Sequence, residues 1–188
     1  MKPGIISTPI PDLLLVEIDC HEDRRGFFME SWNRRDFAAA GITAEFVQEN
    51  HSRSKQAVVR GLHLQDMTAP MIKLVRCTVG AVYDVAVDLR VGSPAFGRWF
   101  GVELSAENKR QFYVPVGFAH GFAVLSDVAE IQYRQTNYYS PQSEVTVAWN
   151  DPQIGIQWPI PDPLLSGRDA QGISLRQYLQ SPAFRYVT

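Results

Sequence analysis

A histidine and a lysine in otherwise apolar, β-rich surroundings are the residues that most suggest chemistry. His63 lies in Arg60-Gly61-Leu62-His63-Leu64-Gln65, and Lys73 begins the next β-rich run ten residues later. A histidine titrates near neutral pH and serves as a general base when a partner fixes its tautomer, although a lone histidine is more often a core residue bonded to a carbonyl. Lys73 is either exposed at a strand end or buried against an anion or a developing negative charge. A hairpin between the two runs would place both side chains in one cavity.

Arg60 and His63 are three residues apart, so the strict alternation of a β-strand places them on opposite faces. A glycine within a strand often marks a β-bulge, which inserts one residue and restores a common face. We therefore predict a bulge at Gly61 that turns Arg60 and His63 to the same side.

Tyrosines and one acid supply further candidates in the second half of the chain. Tyr133 and Tyr139 share a face if their strand stays regular. Aromatic residues in strands mostly serve packing, but a buried tyrosine needs a hydrogen-bond partner, and its phenol is able to act as a general acid. Asp169 follows Leu165-Ser166-Gly167-Arg168. It is either a turn or surface residue or the carboxylate that orients a histidine, a role that requires no sequence proximity.

A metal site is not expected. The segment Pro115-Val116-Gly117-Phe118-Ala119-His120 is similar to the second motif of cupin barrels, in which the histidine binds a metal in some members. A metal cupin also uses an H-x-H pair and a downstream glutamate, whereas His63 is followed by Leu64 and Gln65, and the chain has 4 histidines in all. Cys20 and Cys77 have no metal or redox spacing and are expected to be unreactive thiols.

Short strands must position these residues. In the run 81–89, Tyr83, Val85, Val87 and Leu89 alternate with two aspartates, so the aspartates face the other side. Similar runs occur at 12–18, 26–32, 44–49, 57–65, 72–79, 98–105, 111–114, 121–126, 129–137 and 144–149. Helices are expected only near 33–40, 105–109 and 173–180. We predict an all-β sandwich or barrel, such as a jelly roll, with a few short helices and an irregular C-terminal arm over about 151–188.

Length and composition fit one ordinary globular domain spanning residues 1–188. The formal net charge of −2 offers no general attraction to nucleic acid or anionic membrane, so an anionic ligand must meet local arginines and lysines. No apolar run approaches the length of a membrane span, and the N-terminus lacks a signal-peptide pattern. We expect a cytoplasmic protein.

Taken together, these segments resemble the dTDP-4-dehydrorhamnose 3,5-epimerase family. The matching phrases occur in the family's order at 23–31, 47–52, Arg60-Gly61-Leu62-His63, Lys73-Leu74-Val75, 84–88, 93–97, 117–122 and Trp149-Asn150-Asp151-Pro152. The resemblance implies a cupin-like jelly-roll barrel of about 50–150 in a homodimer whose N-terminal strands, about 1–50, cross to the partner. It also implies a reaction without metal or organic cofactor, in which dTDP-4-dehydro-6-deoxy-D-glucose is inverted at C3 and C5 on the way to dTDP-L-rhamnose.

The same resemblance assigns roles to individual residues. His63 would remove a proton next to the C4 ketone, Asp169 would orient it, Lys73 would face the sugar oxygen, and Tyr133 would return a proton from the opposite face. Arg25 and Arg60 would bind the diphosphate, and Tyr139 would stack on thymine. The rest of the substrate pocket would be formed by Phe28, Glu30, Gln48, Asn50, His120, Glu144 and Arg168.

Two positions depart from the family pattern, and several functions therefore stay open. Leu64 replaces an aromatic residue, and Met71 stands where a glutamine is usual; both changes bear on substrate detail rather than on the acid or base. The alternatives are an epimerase of another dTDP-deoxysugar that inverts C3 only, a metal-dependent cupin oxygenase or isomerase, and a non-catalytic nucleotide-sugar binding module. The joint presence of His63, Lys73, Tyr133 and Asp169 disfavours the last of these.

Overall fold

Short β-strands are the main secondary structure of the molecule, as the alternating patterns predicted. The computed structural model describes residues 2–186. Its strands are β1 Gly4–Ser7, β2 Leu14–Glu17, β3 His21–Asp23, β4 Gly26–Phe28, β5 Gln48–Lys55, β6 Val59–Gln65, β7 Lys73–Val79, β8 Ala81–Asp88, β9 Trp99–Ser105, β10 Gln111–Val114, β11 Phe118–Val124, β12 Val128–Gln135 and β13 Glu144–Thr146. The helices are α1 Arg34–Ala39 and α2 Leu175–Tyr178, with 3-10 turns at Pro141–Ser143 and Asp169–Gln171.

Two antiparallel sheets face each other in a cupin-type jelly roll, which confirms the predicted fold class. One sheet has the order β1-β2-β10-β7-β12-β5, and the other has the order β13-β6-β11-β8-β9. Their inner faces share one apolar cluster, to which β7, β8, β11 and β12 all contribute. Strands β3 and β4 form a separate two-stranded hairpin.

The expected helices near 33–40 and 173–180 are present as α1 and α2, but the one expected near 105–109 is wrong. At that point the backbone N–H of Ser105 donates to Asn108 Oδ1 at 3.1 Å, and the N–H of Asn108 donates to Ser105 Oγ at 3.0 Å. These reciprocal bonds close a turn instead of starting a helix, because short polar side chains compete with helical backbone bonds. The expected strand at 26–32 is also shorter, since β4 ends at Phe28.

Strand β8 is buried on both faces. Tyr83, Val85, Val87 and Leu89 share one cluster with residues of the C-terminal segment, as their common face predicted. Asp84 and Asp88 point to the other side and are fully buried there. The C-terminal segment therefore covers the outer face of the five-stranded sheet, and it is held there by polar bonds such as that from Tyr178 Oη to the carbonyl of Leu89 at 2.8 Å.

The polarity of the inward-facing side chains changes along the length of the barrel. On β7 and β12, Lys73 pairs with Gln135, Val75 with Tyr133, and Cys77 with Ile131. The inward side chains thus pass from polar to apolar along both strands. One end of the barrel is packed with apolar side chains, and the other end holds the polar groups.

A bulge in β6 sets the direction of Arg60 and His63, as predicted. In the ladder with β11, His63 pairs with His120 and Arg60 with Phe122, so the two intervening residues on β6 oppose the single residue Gly121 on β11. Since His120 and Phe122 lie on one face, Arg60 and His63 do as well. Gly61 occupies the bulge with φ near +121°, and a Cβ atom there would lie 2.6 Å from the Cα atom of Gly121.

We predict that Gly61→Ala destabilises the protein more than Gly97→Ala. Both glycines have a positive φ, which costs an alanine about 1–2 kcal/mol, but a Cβ at Gly97 meets no atom within 4 Å. At Gly61 it would meet backbone, so a further cost of about 1–3 kcal/mol is expected from forced displacement. Urea unfolding of the two variants measures the difference, and equal losses would show that the close approach to β11 is not tight.

Candidate active site

A cavity of about 370 Å³ opens at the polar end of the barrel, between the two sheets. Its size suits a small organic ligand. The lining is dominated by polar side chains and includes most of the candidate residues: Gln48, Asn50, His63, Leu64, Gln65, Met71, Lys73, Tyr133, Gln135, Tyr139, Glu144 and Arg168. The two positions that depart from the family pattern, Leu64 and Met71, are both part of this wall.

His63 is held by a carboxylate from the C-terminal segment. Its Nε2 lies 2.5 Å from Oδ1 of Asp169, which is nearly inaccessible to solvent. Ser166 Oγ donates to the other carboxylate oxygen at 2.8 Å and also accepts the N–H of Asp169 at 3.1 Å. With Nε2–H donated to Asp169, the Nδ1 lone pair of His63 is left as the basic atom.

Asp169 remains ionised beside this histidine. Burial alone would raise the pKa of the carboxyl, but the hydrogen bonds from His63 and Ser166 outweigh it and lower the pKa below its usual value. An ionised Asp169 fixes the ring of His63 and stabilises the imidazolium that forms when the ring accepts a proton.

Lys73 lies in the same cavity as His63, but not through a hairpin. Strand β6 belongs to the five-stranded sheet and β7 to the six-stranded one, so the expected pairing is wrong and the two side chains meet across the barrel. Burial lowers the pKa of Lys73 from 10.5 to about 8, while the negative charges of Glu144 and Asp84 oppose that shift. The ammonium is therefore present at neutral pH and begins to lose its proton just above it.

Tyr133 stands on the wall opposite His63, because β12 and β6 lie in different sheets. Burial raises its pKa above the ordinary value, and a hydrogen bond with Asn50 offsets only part of that effect. The phenol thus keeps its proton through the neutral range. The regular strand expected to carry both Tyr133 and Tyr139 ends at Gln135, yet a loop returns Tyr139 to the cavity.

Side-chain amides hold this loop against the strands. Gln48 Nε2 donates to Asn50 Oδ1 at 2.9 Å, and Asn50 Nδ2 donates to Gln135 Oε1 at 3.0 Å. The N–H of Tyr139 donates to Gln48 Oε1 at 3.2 Å. Gln135 and Gln65 were not among the predicted site residues, although each lies two positions from a predicted one and shares its face, a signal that alternation supplies.

Charged groups surround the mouth of the cavity. Arg168 forms an ion pair with Glu144, and its NH1 donates to Tyr139 Oη at 3.3 Å. Arg60 lies in an adjoining depression that also contains His63, Arg168 and Asp169. Its Nε donates to Ser54 Oγ at 2.9 Å. Two guanidinium groups therefore flank the entrance next to the histidine.

Other predicted residues are not brought to this cavity. Within residues 2–186, the lining does not include Arg25, Phe28 or Glu30, and Arg25 lies on the exposed hairpin with its NH2 group 2.6 Å from Asp23 Oδ2. His120 lies next to His63 in the sheet but is buried, with Nε2 2.7 Å from Asp84 Oδ1.

No cluster of three or more histidine, cysteine, aspartate or glutamate side chains suited to a metal ion occurs in the described part of the chain. Neither α1 nor α2, nor any other helix within residues 2–186, is long and apolar enough to cross a membrane.

Comparison with known proteins gives one consistent result. Residues 7–177 match the family described as dTDP-4-dehydrorhamnose 3,5-epimerase. An enzyme of that name from Pseudomonas aeruginosa is 56% identical over 165 residues, which are 87% of this chain and 91% of the relative. The crystal structure of the dTDP-6-deoxy-D-glucose-3,5-epimerase RmlC from Legionella pneumophila, in complex with dTDP-4-keto-L-rhamnose, is 47% identical with a TM-score of 0.94, covering 99% of this chain and all of that one.

A more distant structure shares the fold with a different stated activity. The 3'-monoepimerase ChmJ from Streptomyces bikiniensis, in complex with dTDP-quinovose, is 32% identical with a TM-score of 0.89, covering 98% of this chain and 92% of that one. The family match spans nearly the whole sequence, and the more similar relatives cover it almost end to end. This chain therefore belongs to the dTDP-4-dehydrorhamnose 3,5-epimerase family.

Proposed function

We propose that this chain is a dTDP-4-dehydrorhamnose 3,5-epimerase, which inverts C3 and C5 of dTDP-4-dehydro-6-deoxy-D-glucose in dTDP-L-rhamnose biosynthesis. The observation that carries the proposal is the placement of His63 and Tyr133 on opposite walls of one cavity, with Lys73 beside them. Inversion next to a ketone needs a base on one side of the ring and an acid on the other, since reprotonation from the same side restores the starting configuration.

His63 removes the proton. Its Nδ1 takes the hydrogen from C3 or C5, the electron pair of that C–H bond moves into a C–C double bond, and the C4 carbonyl oxygen becomes an enolate oxygen. The imidazolium that results lies 2.5 Å from the ionised Asp169, which stabilises its charge.

Lys73 stabilises the enolate, and Tyr133 protonates it. The partly buried ammonium supplies a positive charge to the developing oxyanion in a cavity where water competes little. Tyr133 then donates its phenolic proton to the opposite face of the carbon, and the enolate returns to a ketone. These steps move only protons and electron pairs within the sugar, so we propose that the reaction needs neither metal nor organic cofactor.

The mouth of the cavity suits a nucleoside diphosphate. Arg60 and Arg168 lie where a diphosphate would lead out of the pocket, and guanidinium groups bind phosphate oxygens in pairs. The ring of Tyr139 is about half exposed beside Arg168 and offers a flat surface for thymine. Both cysteines of the chain are free thiols, which agrees with a cytoplasmic enzyme.

Inversion of C3 alone is the second candidate, and the similarity to the 3'-monoepimerase ChmJ supports it. Both candidates use the same base, acid and cation. They differ in whether the sugar is held so that C5 also reaches His63, and Met71 and Leu64 in the cavity wall bear on that geometry.

We predict that the wild-type enzyme, incubated with dTDP-4-keto-6-deoxyglucose in D₂O, places deuterium at both C3 and C5. His63→Ala should slow both exchanges by at least about 10²-fold, because His63 is the base that Asp169 orients. NMR of the sugar protons measures both positions. Deuterium at C3 alone would assign the chain as a 3-epimerase, and unchanged exchange in His63→Ala would exclude His63 as the base.

The Tyr133→Phe variant tests the proposed acid in the same experiment. It retains His63 and the shape of the cavity but has no phenolic proton, so exchange should persist while net inversion falls. Equal loss of exchange and inversion would exclude Tyr133 as the acid.

We predict that kcat falls as the pH rises through about 8. The pKa of Lys73 is lowered to about 8, so the ammonium that stabilises the enolate is present below that pH and lost above it, whereas the raised pKa of Tyr133 keeps the acid protonated. In Lys73→Arg the guanidinium stays charged, so the fall should disappear below about pH 10 even if activity is lower. Initial rates across pH measure this, and an unchanged fall in Lys73→Arg would assign it to another group.

We also propose that the protein is a homodimer in which the β3–β4 hairpin completes the partner's cavity. Strands β1 and β2 join the sheet of their own chain, but the hairpin belongs to neither barrel sheet, and its Phe27 is 59% and its Phe28 69% exposed. Large exposed aromatic side chains of this kind favour an interface. Arg25, at the tip of the hairpin, would then supply a third guanidinium to the diphosphate.

We predict that co-expressed His63→Ala and Arg25→Ala chains recover activity that each variant lacks alone. In a mixed dimer with crossing hairpins, one cavity carries both substitutions, and the other combines an intact His63 with an intact Arg25. Random pairing makes half the dimers mixed, so about one quarter of wild-type activity is expected. No recovery from verified mixed dimers would mean that each hairpin serves its own chain.

A further inference from the structure

A second histidine–carboxylate pair lies deeper in the barrel than His63 and Asp169. Oδ1 of Asp84 is 2.7 Å from Nε2 of His120, and the aspartate is fully buried. His120 pairs directly with His63 in the β6–β11 ladder, so both imidazoles project from the same face of the sheet. The proposed reaction does not use the carboxylate of this inner pair.

The second oxygen of Asp84 is unusual. Oδ2 is buried and has no hydrogen-bond partner among the described residues. A buried carboxylate with one oxygen unbonded is costly, and in native proteins such a group calls for an explanation. A neighbouring positive charge provides one, because it interacts favourably with the whole carboxylate across a medium of low dielectric constant.

Lys73 lies in the same interior as Asp84, because Val82 and Ala86 on either side of Asp84 in β8 share one apolar cluster with Val75, two residues from Lys73 in β7. The ammonium of Lys73 provides that positive charge.

Two carboxylates, Glu144 and Asp84, raise the pKa of Lys73 against the effect of burial. Glu144 is already engaged in an ion pair with Arg168 at the mouth of the cavity. Apart from Lys73, the titratable groups described as facing Asp84 are His120 and Cys77, and burial raises the pKa of the Cys77 thiol to about 11, so it stays neutral. Asp84 thus contributes with Glu144 to balancing the ammonium, and of these two carboxylates it is the one without a guanidinium partner in the described part of the chain.

We propose that Asp84 is a positioning residue for the epimerase reaction, a buried counter-ion that holds the His120 ring through one oxygen and keeps Lys73 in its charged form through its negative charge. The inference rests on the proposed role of Lys73 at the enolate oxygen. It adds a residue that does not line the cavity yet sets the protonation state of one that does.

The inner pair is not a second base. The His120 side chain is 8% exposed and that of His63 18%, and of the two only His63 lines the cavity formed by the described residues. Proton abstraction therefore stays with His63. Loss of the Asp84 charge should act on stabilisation of the enolate and leave the basic atom in place.

The test compares Asp84→Asn with Glu103→Gln. Both remove one negative charge, but Glu103 is exposed and lies on the adjacent strand β9. In Asp84→Asn the fall of kcat at high pH should move to lower pH by on the order of one unit, the smaller end of shifts caused by a nearby opposite charge. At pH 8 the charged fraction of Lys73 would then drop from about one half to about one tenth. Glu103→Gln should leave the pH profile unchanged.

His120→Asn separates an electrostatic role from a structural one. It removes the partner of Asp84 but retains the carboxylate charge, so the fall in kcat should stay in place or move to higher pH. Disruption of the local packing would move both variants in the same direction. If Asp84→Asn does not fold, the dependence of kcat on pH in His120→Asn tests the proposal alone. A shift of the fall in kcat to lower pH in that variant overturns the proposal.

A ligand-free measurement separates this inference from the proposed function. NMR of ¹³C-labelled lysine in the free enzyme follows the titration of Lys73, assigned with Lys73→Arg. The titration should shift to lower pH in Asp84→Asn whether or not the substrate is identified correctly. An inactive wild type with this shift would refute the proposed substrate alone, and an active wild type without it would refute the role of Asp84.

Discussion

The hydrogen bond between His63 and Asp169 is the constraint on which the site depends. It joins residues 106 positions apart and ties the C-terminal segment to strand β6. The bond forms only if that segment is docked, which backbone bonds ensure: the N–H of Val59 donates to Leu164 at 3.1 Å, and the N–H of Leu164 donates to Ala57 at 2.8 Å. The free energy of packing this segment on the outer face of the sheet is therefore what orients a base on the inner face.

The two-sheet architecture places the proton acceptor and the proton donor on different walls of the cavity. An enolate is planar, and a single sheet could approach only one side of it. Because His63 projects from one sheet and Tyr133 from the other, the cavity holds a proton acceptor and a proton donor on opposite sides. Lys73 comes from the same sheet as Tyr133, so its positive charge approaches the sugar from the wall opposite His63.

Alternation along the chain was enough to predict most of the strands, the common face of Tyr83, Val85, Val87 and Leu89, and the bulge at Gly61, because these are local properties of the backbone. It missed β1 and β3, and the run expected at 44–49 overlaps β5 only at its start. It was not enough to predict which sheet each strand joins. The run after Leu64 suggested a hairpin with Lys73, but the loop at 66–72 crosses from one sheet to the other.

The long-range polar pairs of the site could not be predicted from the sequence, for a related reason. Asn50 with Gln135 and Glu144 with Arg168 meet only because the barrel closes, and no spacing in the sequence specifies closure. The residue types could be recognised as reactive, and the family resemblance ordered them. Alternation in the sequence only placed Asp84 on the polar face of a strand. Its burial in the barrel became known from the structure.

The bulge in β6 also makes the site sensitive to chain length. Arg60 and His63 are three residues apart, and both point inward because the bulge at Gly61 absorbs the extra residue. If the spacing stayed the same and the bulge were lost, strict alternation would turn one of the two side chains out into the apolar layer beneath the C-terminal segment. Loss of one residue between them together with the bulge would leave a regular strand with both side chains still inward. Evolution at this segment is therefore free to lose the extra residue and the bulge together, but not one without the other.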